Sequence, residues 1–275
     1  GKAGEDGLLV ELDSHTIAAR NVVSATGPYQ TPAVPGIARQ MPSGLMQLTA
    51  NRYVNAGQVP PGAVLVVGAG SSGYQIAEDL MESGRRVFLA VGPHRLLPRR
   101  SRGRDIAFWL DESGAFDTLR ADVPKNQPTV LMSGYKGGQI SLRKLAGQGV
   151  QLTGMLAGCE GGRLSFNDDL AEHILAGEQA GENYKASVDA YLEHAGALVD
   201  SPPPEPVAEA LPMPEGPLSL DLGAEDISSV IWATGYRFDL EWVRECGVLD
   251  AEGRPVHQDG ATSQPGFYFL GPVSY

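Results

Sequence analysis

The sequence predicts an α/β fold organised around a Rossmann-like βαβ unit that binds a dinucleotide. Three observations carry that expectation. A continuous apolar run, Ala63-Val64-Leu65-Val66-Val67, suits a parallel strand covered on both faces. A Gly-x-Gly-x-x-Gly motif, Gly68-Ala69-Gly70-Ser71-Ser72-Gly73, follows without a gap. A helical pattern and a second apolar run over 86–91 come next, at the spacing such a unit needs.

Taken along the chain, residues 8–12 and 15–19 read as short strands around the turn pair Asp13-Ser14. Residues 21–27, Asn-Val-Val-Ser-Ala-Thr-Gly, read as a buried strand ending in small residues. Pro28, Pro32 and Pro35 then mark a loop, and 58–62 reads as a domain boundary. The first clear helix spans 74–83, with Ile76, Ala77 and Leu80 on one face and Gly84 closing it. Further helices are expected over 105–110, 140–146 and 168–195, and strands over 149–152 and 163–166. The prolines at 202–204 break the chain. Residues 227–232 form a second buried strand running into Ala233-Thr234-Gly235-Tyr236, and 266–271 the last strand.

The 275 residues, 42% hydrophobic and 20% charged, suffice for one large globular domain or two ordinary ones. No apolar run approaches the roughly 20 residues of a membrane span. A net charge of -12 argues against nucleic acid and anionic membrane as partners. Two distant cysteines, Cys159 and Cys246, exclude a disulfide scaffold, a four-cysteine zinc site and a CxxC redox pair. They point to a cytoplasmic address. No metal ligand set is evident. The chain opens Gly1-Lys2-Ala3, with neither an initiator Met nor a signal-peptide pattern, and is read as starting inside a longer protein.

The glycine motif specifies its own chemistry. Gly68 permits the tight turn, Gly70 lets backbone approach a pyrophosphate, and Gly73 lets the helix lie close on the strand. The N–H groups of the first helical turn, at Ser71 and Ser72, then face the diphosphate along the helix dipole. An NAD site places an acid at the end of the second strand. Here that strand runs into Val91-Gly92-Pro93 with no acid, then His94, Arg95, Arg99 and Arg100. Seven arginines and no acid lie between positions 85 and 104. A 2′-phosphate needs cations, and the arginine fork matches it. NADP is therefore expected over NAD, with Arg95 and Arg99 the first choices. Arg102 and Arg104 read as surface residues.

Five segments together resemble a known family: 21–27, 61–80, 98–110, 230–236 and 252–271. They resemble the flavin-containing monooxygenase-like FAD/NAD(P)-dependent oxidoreductases. The bacterial flavoproteins catalogued with potassium or cation transport look nearest. The resemblance implies two nested dinucleotide-binding domains, with the FAD domain interrupted by the NADPH domain and incomplete at both ends of this chain. Residues 1–58 and 226–275 would be its remnants, and 59–225 the NADPH domain. It also implies that Ala25-Thr26-Gly27 and Ala233-Thr234-Gly235 are linker motifs near cofactor. Gly271 would lie by the flavin's ribityl chain. The implied cofactors are FAD and NADP. The implied activity is hydride transfer from NADPH to flavin, then oxygen activation on a small-molecule substrate.

One motif departs from the family. The monooxygenase fingerprint Phe-x-Gly-x-x-x-His-x-x-x-Tyr/Trp corresponds to residues 41–53. Tyr53 fits, Thr49 stands where His is expected, and Gly44 is one place off. NADPH:flavin reduction is thus the firmer expectation. No catalytic residue is assignable. Two rival readings stand beside it. A pyridine-nucleotide disulfide reductase would need a cysteine pair this chain lacks. A non-catalytic NADP-sensing module linked to ion transport would keep the glycine loop and arginines but bind no flavin.

Overall fold

The computed structural model describes residues 3–4, 7–114, 129–131, 140–196, 201–205 and 211–271. The chain divides into two units, one of residues 1–33 and 235–275, the other of residues 34–234. In the first, β1 (Ala3–Gly4), β2 (Gly7–Glu11) and β3 (Thr16–Ala19) form an antiparallel sheet. The Asp13-Ser14 turn is closed by the Leu12 N–H donating to the His15 carbonyl, 2.9 Å. The next strands are β4 (Val22–Ser24) and β5 (Thr31–Pro32).

The second unit is built on a five-stranded, all-parallel sheet. Its strands arise from β6 (Met46–Thr49), β7 (Ala63–Val67), β8 (Val87–Ala90), β13 (Gln151–Thr153) and β17 (Ile227–Trp232). Their spatial order is β13-β8-β7-β17-β6. Central β7 is buried at every position, as its uninterrupted apolar run requires. Helix α1 (Ser71–Glu82) connects β7 to β8 as a parallel crossover. The expected segment 59–225 lies within this unit. Strands β6 and β17 extend the sheet on one side, so the unit is wider than that segment.

Alternate residues of the strands feed two cores. Val64, Val66, Val87, Leu89 and Ile231 point into a helical layer with Tyr74, Ile76, Ala77 and Leu80 of α1. Leu142 and Leu145 of α3 (Leu142–Gly147) and Ile174 of α4 (Leu170–His194) complete it. Leu65, Val67, Phe88, Val230 and Trp232 point the other way. They meet a small antiparallel sheet of β14 (Leu156–Glu160), β15 (Arg163–Phe166) and β16 (Ser219–Asp221).

Beyond β8 lie three short strands and a helix: β9 (His94–Leu96), β10 (Arg100–Ser101), β11 (Arg104–Asp105) and α2 (Ile106–Glu112). Strand β12 (Thr129–Leu131) pairs parallel with β9. The first unit resumes with β18 (Tyr236–Arg237), which pairs antiparallel with β5, and ends with β19 (Phe267–Phe269), which pairs parallel with β4. The expected strand over 21–27 is shorter in the structure, ending at Ser24. The stretch over 41–53, read as a motif and not as an element, contributes edge strand β6.

Helix α4 sits directly on β9 because two glycines one turn apart face it. A Cβ on Gly181 would lie 2.5 Å from the Leu96 carbonyl oxygen, and one on Gly177 would lie 2.4 Å from His94 Nε2. Alanine is favoured over glycine in a helix by about 1 kcal/mol. Overpacking against fixed backbone costs about 1–3 kcal/mol. Gly181→Ala is therefore expected to destabilise the protein, lowering its chemical-denaturation midpoint. A midpoint unchanged or raised would show that α4 does not seat on β9.

Candidate functional site

The parallel strands of the second unit end in register. Val67 pairs with Ala90 and with Trp232, Trp232 with Thr49, and Ala90 with Thr153. The loops leaving these ends share one edge, where open α/β sheets bind ligands. The glycine motif leaves β7, and Ala233-Thr234 leaves the adjacent β17.

The geometry assigns each motif glycine a separate task. Gly68 has φ 101°, a left-handed conformation that favours glycine. A Cβ on Gly68 would lie 2.5 Å from the Ala233 carbonyl oxygen. A Cβ on Gly73 would lie 1.8 Å from the Gly68 carbonyl oxygen and 3.1 Å from the Ala233 Cβ. Gly70 is the N-cap residue of α1, and no side chain caps that helix. A glycine at that position offers the first-turn N–H groups no acceptor of its own, which suits them to a ligand or solvent. Ser72 is exposed, and the Ser71 hydroxyl donates to the Val130 carbonyl at 3.3 Å.

That last bond ties the loop to β12, the strand paired with β9, which carries Arg95. Val130 of β12 is the register partner of Arg95 in β9. Arg95 is partly buried, and desolvation draws its guanidinium pKa below the ordinary value. The other predicted cations are placed differently. Arg99 is exposed and pairs with Asp105 at 2.7 Å, and Arg100 is exposed on β10. Arg104 stacks on Phe108, its guanidinium carbon 5.0 Å from the ring centre. Arg102 is not a surface residue. Only 8% exposed, it bonds Asp189 of α4 at 2.6 Å and the Pro202 carbonyl at 2.9 Å. Arg85 and Arg86, at the start of the basic run, are structural. Arg85 donates to the Val59, Pro60 and Gly62 carbonyls, and Arg86 pairs with Glu225.

His94 is 4% exposed and covered by Gly177 of α4. Its Nδ1 lies 3.0 Å from the Gly92 carbonyl, which can only accept, so Nδ1 carries the proton. The ring therefore props β9 from within. Ser71 of α1 and Arg95 of β9 are linked through Val130 of β12, which bonds the one and pairs in register with the other, whereas His94 is buried.

In the first unit, β4 and β19 end together at Ser24 and Phe269. Ala25-Thr26-Gly27 and Gly271 leave these ends side by side. Gly27 (φ 70°), Gly235 (φ 85°) and Gly271 (φ 96°) are left-handed, with nothing within 4 Å of a Cβ on any of them. Glycine is needed there for backbone conformation, not for packing. Gln30 ties these turns together. Its Nε2 donates to Thr26 Oγ1 and the Gly27 carbonyl, and its Oε1 accepts from the Asp239 N–H. Gly235 accepts from the Ala33 N–H at 2.9 Å.

Among the described residues no group of His, Cys, Asp and Glu is arranged to hold a metal. No described helix is long and apolar enough to cross a membrane. Thr49, at the end of β6, donates to Asn51 at 2.6 Å, and the Tyr53 hydroxyl donates to Asp79 at 2.5 Å. Cys159 is buried and Cys246 partly buried, and neither takes part in a disulfide among the described residues.

A flavin-containing monooxygenase from Stenotrophomonas maltophilia superposes with a TM-score of 0.57 at 14% identity, covering 98% of this chain and 60% of that one. That likeness shows a shared fold. Residues 2–110 match the family described as pyridine nucleotide-disulphide oxidoreductase. The uncharacterized oxidoreductase CzcO-like of Geobacillus kaustophilus is 29% identical over 264 residues, 95% of this chain. The uncharacterized oxidoreductase CzcO of Bacillus subtilis is 28% identical over 266 residues, 96% of this chain. The chain spans about 60% of the length of these relatives. The resemblance to flavin-containing monooxygenase-like oxidoreductases thus holds at the level of fold and relatives.

Burial lowers the His94 pKa most, the charge of His173 lowers it further, and the Gly92 carbonyl and Glu178 oppose both. The folded ring stays neutral where an unfolded histidine protonates, near pH 6.5. The unfolded chain then binds more protons, so stability falls as pH drops below about 6.5. Unfolding free energies measured from pH 7.5 to 5 are expected to decline less steeply in His94→Gln. Parallel slopes would mean that His94 is not the titrating group.

Proposed function

We propose that this chain belongs to an NADPH-dependent flavoprotein oxidoreductase of the monooxygenase-like type. The observation that carries the reading is the edge formed by Gly68, Gly70, Ser71, Gly73, Ala233 and Arg95. It combines a helix N-terminus whose N-cap is glycine, two glycines (Gly68 and Gly73) at which a Cβ would clash with backbone, and a cation on the strand next to the one that Ser71 bonds. Those features fit the diphosphate and 2′-phosphate of NADP. The two units would divide the cofactors, residues within 59–225 taking NADP and the flanking segments contributing to FAD. Ala25, Thr26, Gly27 and Gly271 form the edge where FAD would contact the first unit, with Gly235 in the adjoining connection.

When bound, the nicotinamide supplies hydride and the flavin accepts it, and reduced flavin can activate oxygen. The chain's own work is orientation. The α1 N–H groups hold the diphosphate, and Gly73 fixes where that helix begins. Arg95 supplies charge for the 2′-phosphate, with Arg99 and Arg100 on the following hairpin. Thr49 has no ring nitrogen to offer where the family's fingerprint has His, so reduction of flavin is the firmer half of the reading. The substrate would be a small molecule.

The deciding experiment is an absorbance spectrum of the full-length gene product, purified without added cofactor, before and after anaerobic NADPH. A flavin band that bleaches with NADPH supports the reading. NADPH binding with no flavin band would overturn it in favour of a non-catalytic nucleotide-sensing module. Arg95→Ala should raise the KM for NADPH roughly 10- to 100-fold, the worth of one charge-assisted bond. NADH should be little affected. Equal loss with both cofactors would remove the 2′-phosphate role.

A further inference from the structure

We infer that Glu205, acting with Arg102, is a positioning residue for cofactor selectivity. It holds the arginine hairpin β10–β11 in the conformation that meets the 2′-phosphate. This inference rests on the NADP reading above. The hairpin has strands of only two residues, Arg100–Ser101 and Arg104–Asp105, and among the described residues pairs with no other strand. A hairpin that short does not hold itself in water. Its turn residues, Arg102 (φ 48°) and Gly103 (φ 69°), are both left-handed, as a two-residue hairpin turn requires. For a residue with a Cβ that conformation is unfavourable and needs outside support.

The support is specific. The two Glu205 carboxylate oxygens accept the two turn N–H groups, Oε2 from Arg102 and Oε1 from Gly103, each at 2.9 Å. The Arg102 side chain turns inward to Asp189 of α4, to Ser201 Oγ at 3.2 Å and to the Pro202 carbonyl. The same short segment, 201–205, is thus bonded at both ends of Arg102. On the far side Trp109 Nε1 donates to the Ser101 carbonyl at 2.7 Å, and Trp109 packs on Val188 and Leu192, which flank Asp189. Burial alone would raise the Glu205 pKa. The N–H donors and the Lys185 charge outweigh it and hold the carboxyl below the ordinary range.

Glu205 and Asp189 therefore bind the turn and the Arg102 side chain, while Asp105 of β11 pairs with Arg99 and orients it along the hairpin. Arg99 and Arg100 remain exposed on a hairpin whose backbone is already ordered. An ordered donor loses less conformational entropy when it engages a phosphate than a donor on a mobile loop. The clamp acts on selectivity because the ordered arginines have a target only in the phosphorylated dinucleotide.

The test is steady-state flavin reduction by NADPH and NADH in the full-length holoenzyme, with thermal unfolding in parallel. Glu205→Ala should raise the KM for NADPH about tenfold, the equivalent of about 1.4 kcal/mol, and change the KM for NADH less than twofold. In an Arg99→Ala/Arg100→Ala background it should add nothing, because the positioned groups are gone. Glu205→Gln keeps one acceptor oxygen and should fall between, and it serves if the alanine variant is poorly soluble. Equal shifts for both cofactors, or an additive effect in the double-alanine background, would overturn the proposal. A wild-type enzyme with no preference for NADPH would instead overturn the NADP reading itself.

Discussion

The approach of α1 to the end of β7 is the constraint on which the second unit depends. A Cβ at Gly73 would stand 1.8 Å from the Gly68 carbonyl oxygen, inside any permissible contact. The same turn passes so close to Ala233 that Gly68 has no room for a side chain. Two neighbouring strands, β7 and β17, are therefore locked at their ligand-facing ends by three small residues. The helix above them begins at a defined point, with glycine at its N-cap. Everything proposed for diphosphate recognition follows from that position.

The helical layer is fixed by the same device used a second time. Gly177 and Gly181 remove the side chains that would separate α4 from β9, so the helix rests on the His94 ring and the Leu96 carbonyl. His94 fills the space beneath α4 and stays neutral there. The long charged helix is thus more than a solvent-facing cover. Through Asp189 and the Trp109 cluster it reaches the arginine hairpin, while through Gly177 it reaches the strand that carries Arg95.

The arginine-rich segment shows how one composition serves several ends. Arg85 binds three carbonyls entering β7, and Arg86 bridges to Glu225. Arg102 is buried in a network, Arg104 lies on an aromatic ring, and Arg99 is shared with Asp105. The sequence shows seven arginines between positions 85 and 104 and no acid among them. It cannot show that Arg102 and Arg86 take their acids from Asp189 of α4 and from Glu225, each far along the chain, while Arg99 takes the nearby Asp105.

Local pattern alone determined much of this protein. The apolar run at 63–67, the glycine motif, the helix after it and the strand at 227–232 are all legible because each depends on neighbours in sequence: burial on both faces, left-handed turns, 3.6-residue periodicity. The same is true of the small residues at 25–27 and 233–235, whose meaning lies in backbone freedom. Tertiary structure decided what no local rule encodes. It made residues 46–49 an edge strand of the main sheet and buried His94 beneath a helix some eighty residues away. It also turned Arg102 inward, where surface was expected, and set β12 between Arg95 of β9, its register partner at Val130, and Ser71, which bonds the Val130 carbonyl. Each of these rests on pairing between segments distant in sequence. Such pairing is set by the packing of whole layers and leaves no periodic trace in the residues that take part.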